Sequence, residues 1–193
     1  MPSTQGSPAG RIHLALSGFM GVGKSSLGRV LAVDLGLQFK DIDELVEARL
    51  GASIAQTFAA GEGQRFRDLE AQVVGEVLAG EPAVLSLGGG STLRDEVRAQ
   101  LLERSLLVFL YVPWTELRDW IGAERGGRPL IEGLTLDQIG ELYSARLPVY
   151  RQAHLEVRVP RSGIQASRDL VLAALKALPE SRPGPALGDG ELA

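Results

Sequence analysis

Gly18-Phe19-Met20-Gly21-Val22-Gly23-Lys24-Ser25 is the stretch on which the reading of the fold turns. It matches G-x-x-x-x-G-K-[S/T] in full. In such a loop the backbone N–H groups point inward and form a nest for an anion. The helix that follows adds its positive N-terminal end. Lys24 reaches the β- and γ-phosphates of a nucleotide and the Ser25 hydroxyl binds Mg²⁺. Gly21, Val22, Gly23, Lys24, Ser25 and Ser26 are therefore the candidate nucleotide-binding set. The plainer alternative is a chance glycine-rich turn. Against it stand the apolar run Ile12–Leu16 before the loop and a helical stripe after it. Moreover, only three of the twenty basic residues are lysines, and one of them occupies the required place.

Outward from the loop, apolar runs alternate with helical periodicity. Leu27, Val30, Leu31 and Leu35 mark a helix that stops at Gly36. Gln38–Lys40 reads as a short second strand, and Asp41 as the cap of a helix carrying Ile42, Leu45, Val46 and Leu50. Ser53 and Gln56 have capping-box spacing. Phe66, Leu69, Val73 and Val77 keep step along a longer helix near Gln64–Ala79. Ala83–Leu87 is a buried strand running into Gly88-Gly89-Gly90. A helix near Arg94–Glu103 leads to a strand over Leu106–Val112, then a short helix over Trp114–Trp120. Gly122–Gly133 is rich in Gly, Arg and Pro and reads as a mobile loop. Thr135 and Gln138 repeat the capping-box spacing, and Pro148 is expected to end or bend the helix they open. Leu155–Val159 is a fifth strand and Ile164–Leu178 a last helix. Strands alternating with helices predict an α/β fold with a mainly parallel sheet.

Bulk properties narrow the function classes. A chain of 193 residues suggests one domain with a substantial core. Apolar residues make up 45% and charged residues 23%, as in ordinary globular proteins. A net charge of −4 with the signs interspersed argues against a nucleic-acid partner. The absence of Cys excludes disulfides, iron–sulfur sites and thiolate nucleophiles, and fits a reducing, cytoplasmic setting. The longest apolar run, Leu106–Val112, is far short of a membrane span. Residues 1–10 show no basic stretch followed by an apolar one and are expected to be a disordered leader. The Pro/Gly-rich residues 179–193 are expected to be a disordered tail.

Four groups of residues carry candidate chemistry. Asp41 and Asp43 fall at a strand-to-helix turn, where ligands gather in open parallel sheets. Asp41 either holds Mg²⁺ through water or merely caps the helix. Asp43 either orients and deprotonates an attacking hydroxyl or complements the helix dipole. Arg67 and Glu70 share a helix face, as an internal pair or as part of an anion site. Arg146 lies on the stripe Ile139, Tyr143, Arg146, Tyr150, where a guanidinium is costly to desolvate unless an anion meets it. That anion is either a buried internal carboxylate or the carboxylate of a substrate. Gly88, Gly89 and Gly90 let main chain pack against a ligand, or form a plain turn. Arg128 and Arg125 sit in the glycine-rich loop. One of them can close over the γ-phosphate, although a solvated basic loop is the simpler account of Arg125. His13, His154, Trp114 and Trp120 read as structural.

Taken in order, GFMGVGKSSLGR (18–29), DID (41–43), GASIAQTFAAGEGQRFRDLE (51–70), LSLGGG (85–90), RPLI (128–131) and RLPVYRQAH (146–154) resemble the shikimate kinase family over Arg11 to Leu178. The P-loop alone would say only that a nucleotide binds; the other pieces are far more specific. The resemblance implies a nucleoside-monophosphate-kinase-like fold with strand order 2-3-1-4-5, a substrate-binding helical part, and a lid near 119–132. It implies phosphorylation of the 3-hydroxyl of shikimate by ATP with Mg²⁺, in the cytoplasm, by a monomer with no nucleic-acid or membrane partner. By motif position Lys24, Asp43 and Arg128 are catalytic, and Arg128 is the lid arginine that also meets the nucleotide. Ser25 and Asp41 serve the metal. Asp43, Arg67, Gly88, Gly89, Gly90 and Arg146 bind the substrate, with Glu70 orienting Arg67. One departure concerns the adenine pocket. The family often stacks an arginine on the base, whereas this chain reads LRDWIGAERGG (117–127), with Arg118 as the nearest substitute. Ser86 stands where many other P-loop proteins carry a metal-site Asp, a role that passes to Asp41 in the resembled family. The alternatives are a kinase for another polyol acid such as gluconate, and a non-catalytic module that senses shikimate or nucleotide.

Overall fold

A computed structural model describes residues 12–123, 133–160 and 163–178, with side chains through 121 in the first span. The expected leader and tail, Arg125, Arg128 and most of the expected lid lie outside the described residues.

The alternation of periods forms an α/β sandwich. Strand β1 (His13–Ser17) runs into the glycine-rich loop and helix α1 (Lys24–Leu35), which ends on Gly36 with φ +60°. There follow β2 (Gln38–Asp41), α2 (Ile42–Leu50), α3 (Ile54–Ala59), α4 (Gly63–Leu78) and β3 (Ala83–Ser86). A 3₁₀ turn over Ser91–Leu93 leads to α5 (Asp95–Arg104) and β4 (Ser105–Tyr111). The described chain closes with α6 (Trp114–Ala123), α7 (Leu136–Tyr150), β5 (Leu155–Arg158) and α8 (Ile164–Lys176). The five strands are parallel in the order β2-β3-β1-β4-β5. Both expected capping boxes are present, Ser53 with Gln56 and Thr135 with Gln138.

The central strands are apolar on both faces, as a sheet covered by helices requires. Leu14, Leu16, Val108 and Leu110 belong to one apolar cluster with α1, α7 and α8. Ala15, Leu85 and Leu107 belong to a second with α2, α4 and α5. Pro148 does not end α7, which runs on to Tyr150. Proline removes one bond to the carbonyl four residues back, here Ser144. Ser144 and Pro148 are both exposed, so water can take that carbonyl and the loss is small. Among the described residues no helix is long and apolar enough to cross a membrane.

Candidate active site

The carboxyl ends of β1, β2 and β3 converge on one cleft. At the end of β1, Gly18, Gly21 and Gly23 adopt positive φ of 140°, 82° and 87°. Gly23 is the N-cap of α1 in the left-handed region, where a side chain would be strained. The first main-chain bond of α1 runs from the Leu27 N–H to the Gly23 carbonyl, and no side chain caps the helix. The amides of the first turn therefore lack helical acceptors and face outward as anion donors. Lys24 Nζ donates to the carbonyls of Gly18 and Phe19, 3.0 Å each, which folds its charge back over the loop.

Two hydroxyls meet beside it, with a carboxylate on the neighbouring strand. Asp41 and Ser86 are register partners on β2 and β3, and Ser86 Oγ lies 3.1 Å from Ser25 Oγ. Asp41 Oδ1 accepts the Asp43 amide at 3.1 Å, so the capping role exists. That leaves its second oxygen for other work. Hard oxygen donors of this kind suit Mg²⁺, which keeps waters and phosphate oxygens rather than demanding a full protein cage. Among the described residues no three His, Cys, Asp or Glu side chains cluster to make such a cage. Ser25, Ser86 and Asp41 are the hard oxygen donors present for such a cation.

Asp43 lies half-buried beyond them. Burial, then the charges of Glu70 and Asp41, push its carboxyl up to about 6, against the opposite pull of Lys24 and Arg67. A carboxylate so destabilised is a better proton acceptor than an ordinary one.

The triple glycine ties these groups together. A Cβ on Gly88 would stand 2.5 Å from Asp43 Oδ1 and 2.9 Å from Glu70 Oε1. One on Gly90 would stand 2.6 Å from Arg67 Nη2. The carbonyl of Gly89 accepts from Arg146 Nη1 at 3.2 Å and from the Tyr150 hydroxyl at 2.5 Å. Three successive residues thus touch the acidic pair, one arginine and the other arginine. A plain turn would not need such approach. The adjoining cleft of about 470 Å³ is lined by Met20, Gly21, Gly23, Lys24 to Ser26, Asp43, Ser86, Leu87 and Gly89. A second hollow of about 430 Å³ opens beside Arg67 and Gly90.

The two arginines differ in how they are held. Arg67 Nη1 donates to Glu70 Oε2 at 2.7 Å, so the internal pair is real. Glu70 is fully buried, and its other oxygen accepts from Ser91 Oγ at 2.5 Å. Arg67 also lies 5.0 Å from the Phe66 ring centre, and its side chain remains 22% exposed. Among the described residues Arg146 donates to the Gly89 carbonyl rather than to a carboxylate, and its buried Nε has no hydrogen-bond partner. Among the described residues, then, no internal carboxylate is recorded as meeting Arg146. Arg118 is on the exposed side of α6, its Nε 3.3 Å from Asp119 Oδ1. Ser91 and Tyr150 escaped the sequence reading as site residues. Ser91 carries no motif of its own, and Tyr150 stood only on the stripe with Arg146 and inside RLPVYRQAH.

Comparisons with known proteins agree with this geometry. A family model described as "Shikimate kinase" matches residues 20–178. A shikimate kinase of Nitrobacter winogradskyi is 40% identical over 165 residues, covering 84% of this chain and 72% of that protein. One of Oceanobacillus iheyensis is 32% identical over 163 residues, covering 84% of this chain and 89% of that protein. The solved structure of the Acinetobacter baumannii shikimate kinase in complex with shikimate superposes with a TM-score of 0.77. It is 32% identical and covers 86% of this chain and 92% of that one.

Proposed function

The chain belongs to the shikimate kinase family, and from that premise we propose how its cleft divides the labour of moving the γ-phosphate of ATP onto shikimate. The reaction is ATP-dependent phosphorylation of the 3-hydroxyl of shikimate, giving shikimate 3-phosphate and ADP. The observation that carries the assignment of roles is the triple glycine, which brings Asp43, Arg67 and Arg146 to one strip of main chain next to the phosphate cradle.

The loop amides and Lys24 hold the β- and γ-phosphates. Asp43 accepts the proton of the acid's 3-hydroxyl as its oxygen bonds to the γ-phosphorus and the bond to the β-phosphate oxygen breaks. Arg67 and Arg146 grip the carboxylate at the far side of the ring, and Gly88 to Gly90 leave room for it. Binding of the carboxylate thereby fixes which hydroxyl faces the phosphate, a gain of orientation rather than of bond chemistry. Ser25, with Asp41 and Ser86 behind it, would hold Mg²⁺, which when bound draws negative charge off the transferring phosphate. Arg128, in the family's lid position, is assigned to the γ-phosphate. We assign a monomer acting in the cytoplasm, a reading carried by the family resemblance.

ADP release, measured with and without shikimate, tests the function. Strict dependence on the acid is expected. Slow turnover independent of any acceptor would instead favour a sensor, and preference for gluconate in an acceptor screen would favour another acid kinase. Arg67→Ala is expected to raise the KM for shikimate at least tenfold while ATP binding stays within about twofold, each ligand being titrated separately. Equal losses for both ligands would remove Arg67 from the acid clamp.

A further inference from the structure

Arg146 and Tyr150 are four apart on α7 and so project from the same face. Both donate to one oxygen, the Gly89 carbonyl, the guanidinium at 3.2 Å and the phenol at 2.5 Å. The phenol has the better geometry, and its ring is fixed. Tyr150 is 2% exposed and stacks on Phe109 of β4, ring centres 5.3 Å apart and planes 26° apart. Arg146 is held more loosely, with its guanidinium 5.8 Å from the Phe19 ring centre and its buried Nε without a partner among the described residues.

We propose that Tyr150 is a positioning residue for the reaction: by holding the Gly89 carbonyl it leaves Arg146 available to turn onto the carboxylate of the acid. The inference rests on the reading of the cleft as the acid site. A carboxylate entering the cleft must draw the N–H groups of Arg146 toward itself. If Arg146 were the sole donor to Gly89, that turn would orphan an acceptor under α7, and the loss would oppose binding. With the phenol in place the carbonyl keeps a partner in both states. Burial pushes the Tyr150 hydroxyl above its ordinary range despite the pull of Arg146 and Arg67, so it stays protonated and able to donate. The same bond anchors the middle of the triple glycine to β4, through the stacked rings, while the glycines on either side remain open to Asp43 and Arg67.

Tyr150→Phe removes the hydroxyl and keeps the stacking ring. The expected result is a KM for shikimate raised about tenfold, equivalent to about 1.4 kcal/mol, with the KM for ATP within twofold and the melting midpoint nearly unchanged. Repeating the substitution in an Arg146→Ala background separates positioning from bulk structure. If Tyr150 acts through Arg146, the second substitution adds less than twofold to the loss in kcat/KM for the acid. Tyr143→Phe deletes the other buried phenol of α7, which bonds the Val112 carbonyl instead, and is the control expected to leave the KM for the acid unchanged. An unaltered KM in Tyr150→Phe overturns the proposal. So do equal losses for both substrates, or a tenfold loss that persists without Arg146. Failure of Tyr150→Phe to fold, with Tyr143→Phe folding normally, would also overturn it in favour of a purely structural hydroxyl. If the wild-type enzyme leaves shikimate untouched, the functional reading itself fails. If the wild type turns over and Tyr150→Phe matches it, the tyrosine role alone fails.

Discussion

Asp43 concentrates the conflict between stability and function at the residue scale. Its carboxyl is raised to about 6 by burial and by Glu70 and Asp41. The folded protein therefore holds this proton more tightly than the unfolded chain, whose carboxyl titrates near the ordinary value. Between roughly pH 4 and 6 stability falls as pH rises, and above 6 the ionised group is a standing cost. Asp43→Asn is expected to raise stability by roughly 1–3 kcal/mol at pH 7.5 while lowering kcat by at least about a hundredfold. Thermal melting and ADP release on the same sample check both halves. In the wild type kcat/KM should fall on the acid side of about pH 6. Asp43 itself was legible from its place after Asp41 and beyond a P-loop. Its raised affinity for protons was not, because Glu70 lies 27 positions along the sequence and only folding brings it alongside.

Element boundaries were well marked where local chemistry sets them. The capping boxes at Ser53 and Thr135 and the left-handed Gly36 need only neighbouring residues, and they form as read. The stripe on α4 also holds, yet it includes a charge, since Glu70 is buried between Phe66 and Val73. Periodicity shows which side faces inward and is silent on what else that side must satisfy. Histidine supplies a comparable device at the opposite end of the sheet. His13 Nδ1, at the start of β1, accepts the Ala83 amide of β3 at 3.2 Å. Burial, and next the charge of Lys40, lower its affinity for a proton. The unfolded chain then binds the extra proton more readily, so stability is lost as pH falls below the ordinary histidine value near 6.5, and the loss is complete below the folded value. Melting curves from pH 7.5 to 5 should show this fall most clearly in an Asp43→Asn background, which removes the opposing trend. His13→Asn in that background should flatten it.

The sheet is the load path that keeps the cradle and the arginine clamp in register at the scale of the whole molecule. Its helical layers pack in separate apolar clusters, so damage on either face should loosen the site without touching it. Leu31, fully buried on α1 behind the loop, is a direct probe. Leu31→Ala is expected to cost about 2–5 kcal/mol and to lower the melting midpoint by roughly 5–15 °C, measurable by calorimetry. The order of the elements, the parallel sheet and the phosphate loop were determined by the sequence alone, because periodicity, caps and glycine spacing act over a few residues. The meeting of Gly88 with Asp43 and Glu70, of Gly90 with Arg67, and of Gly89 with Arg146 and Tyr150 was decided only by tertiary structure. Those contacts join residues far apart in the chain, and close approach between main chain and distant side chains leaves no periodic trace in the sequence.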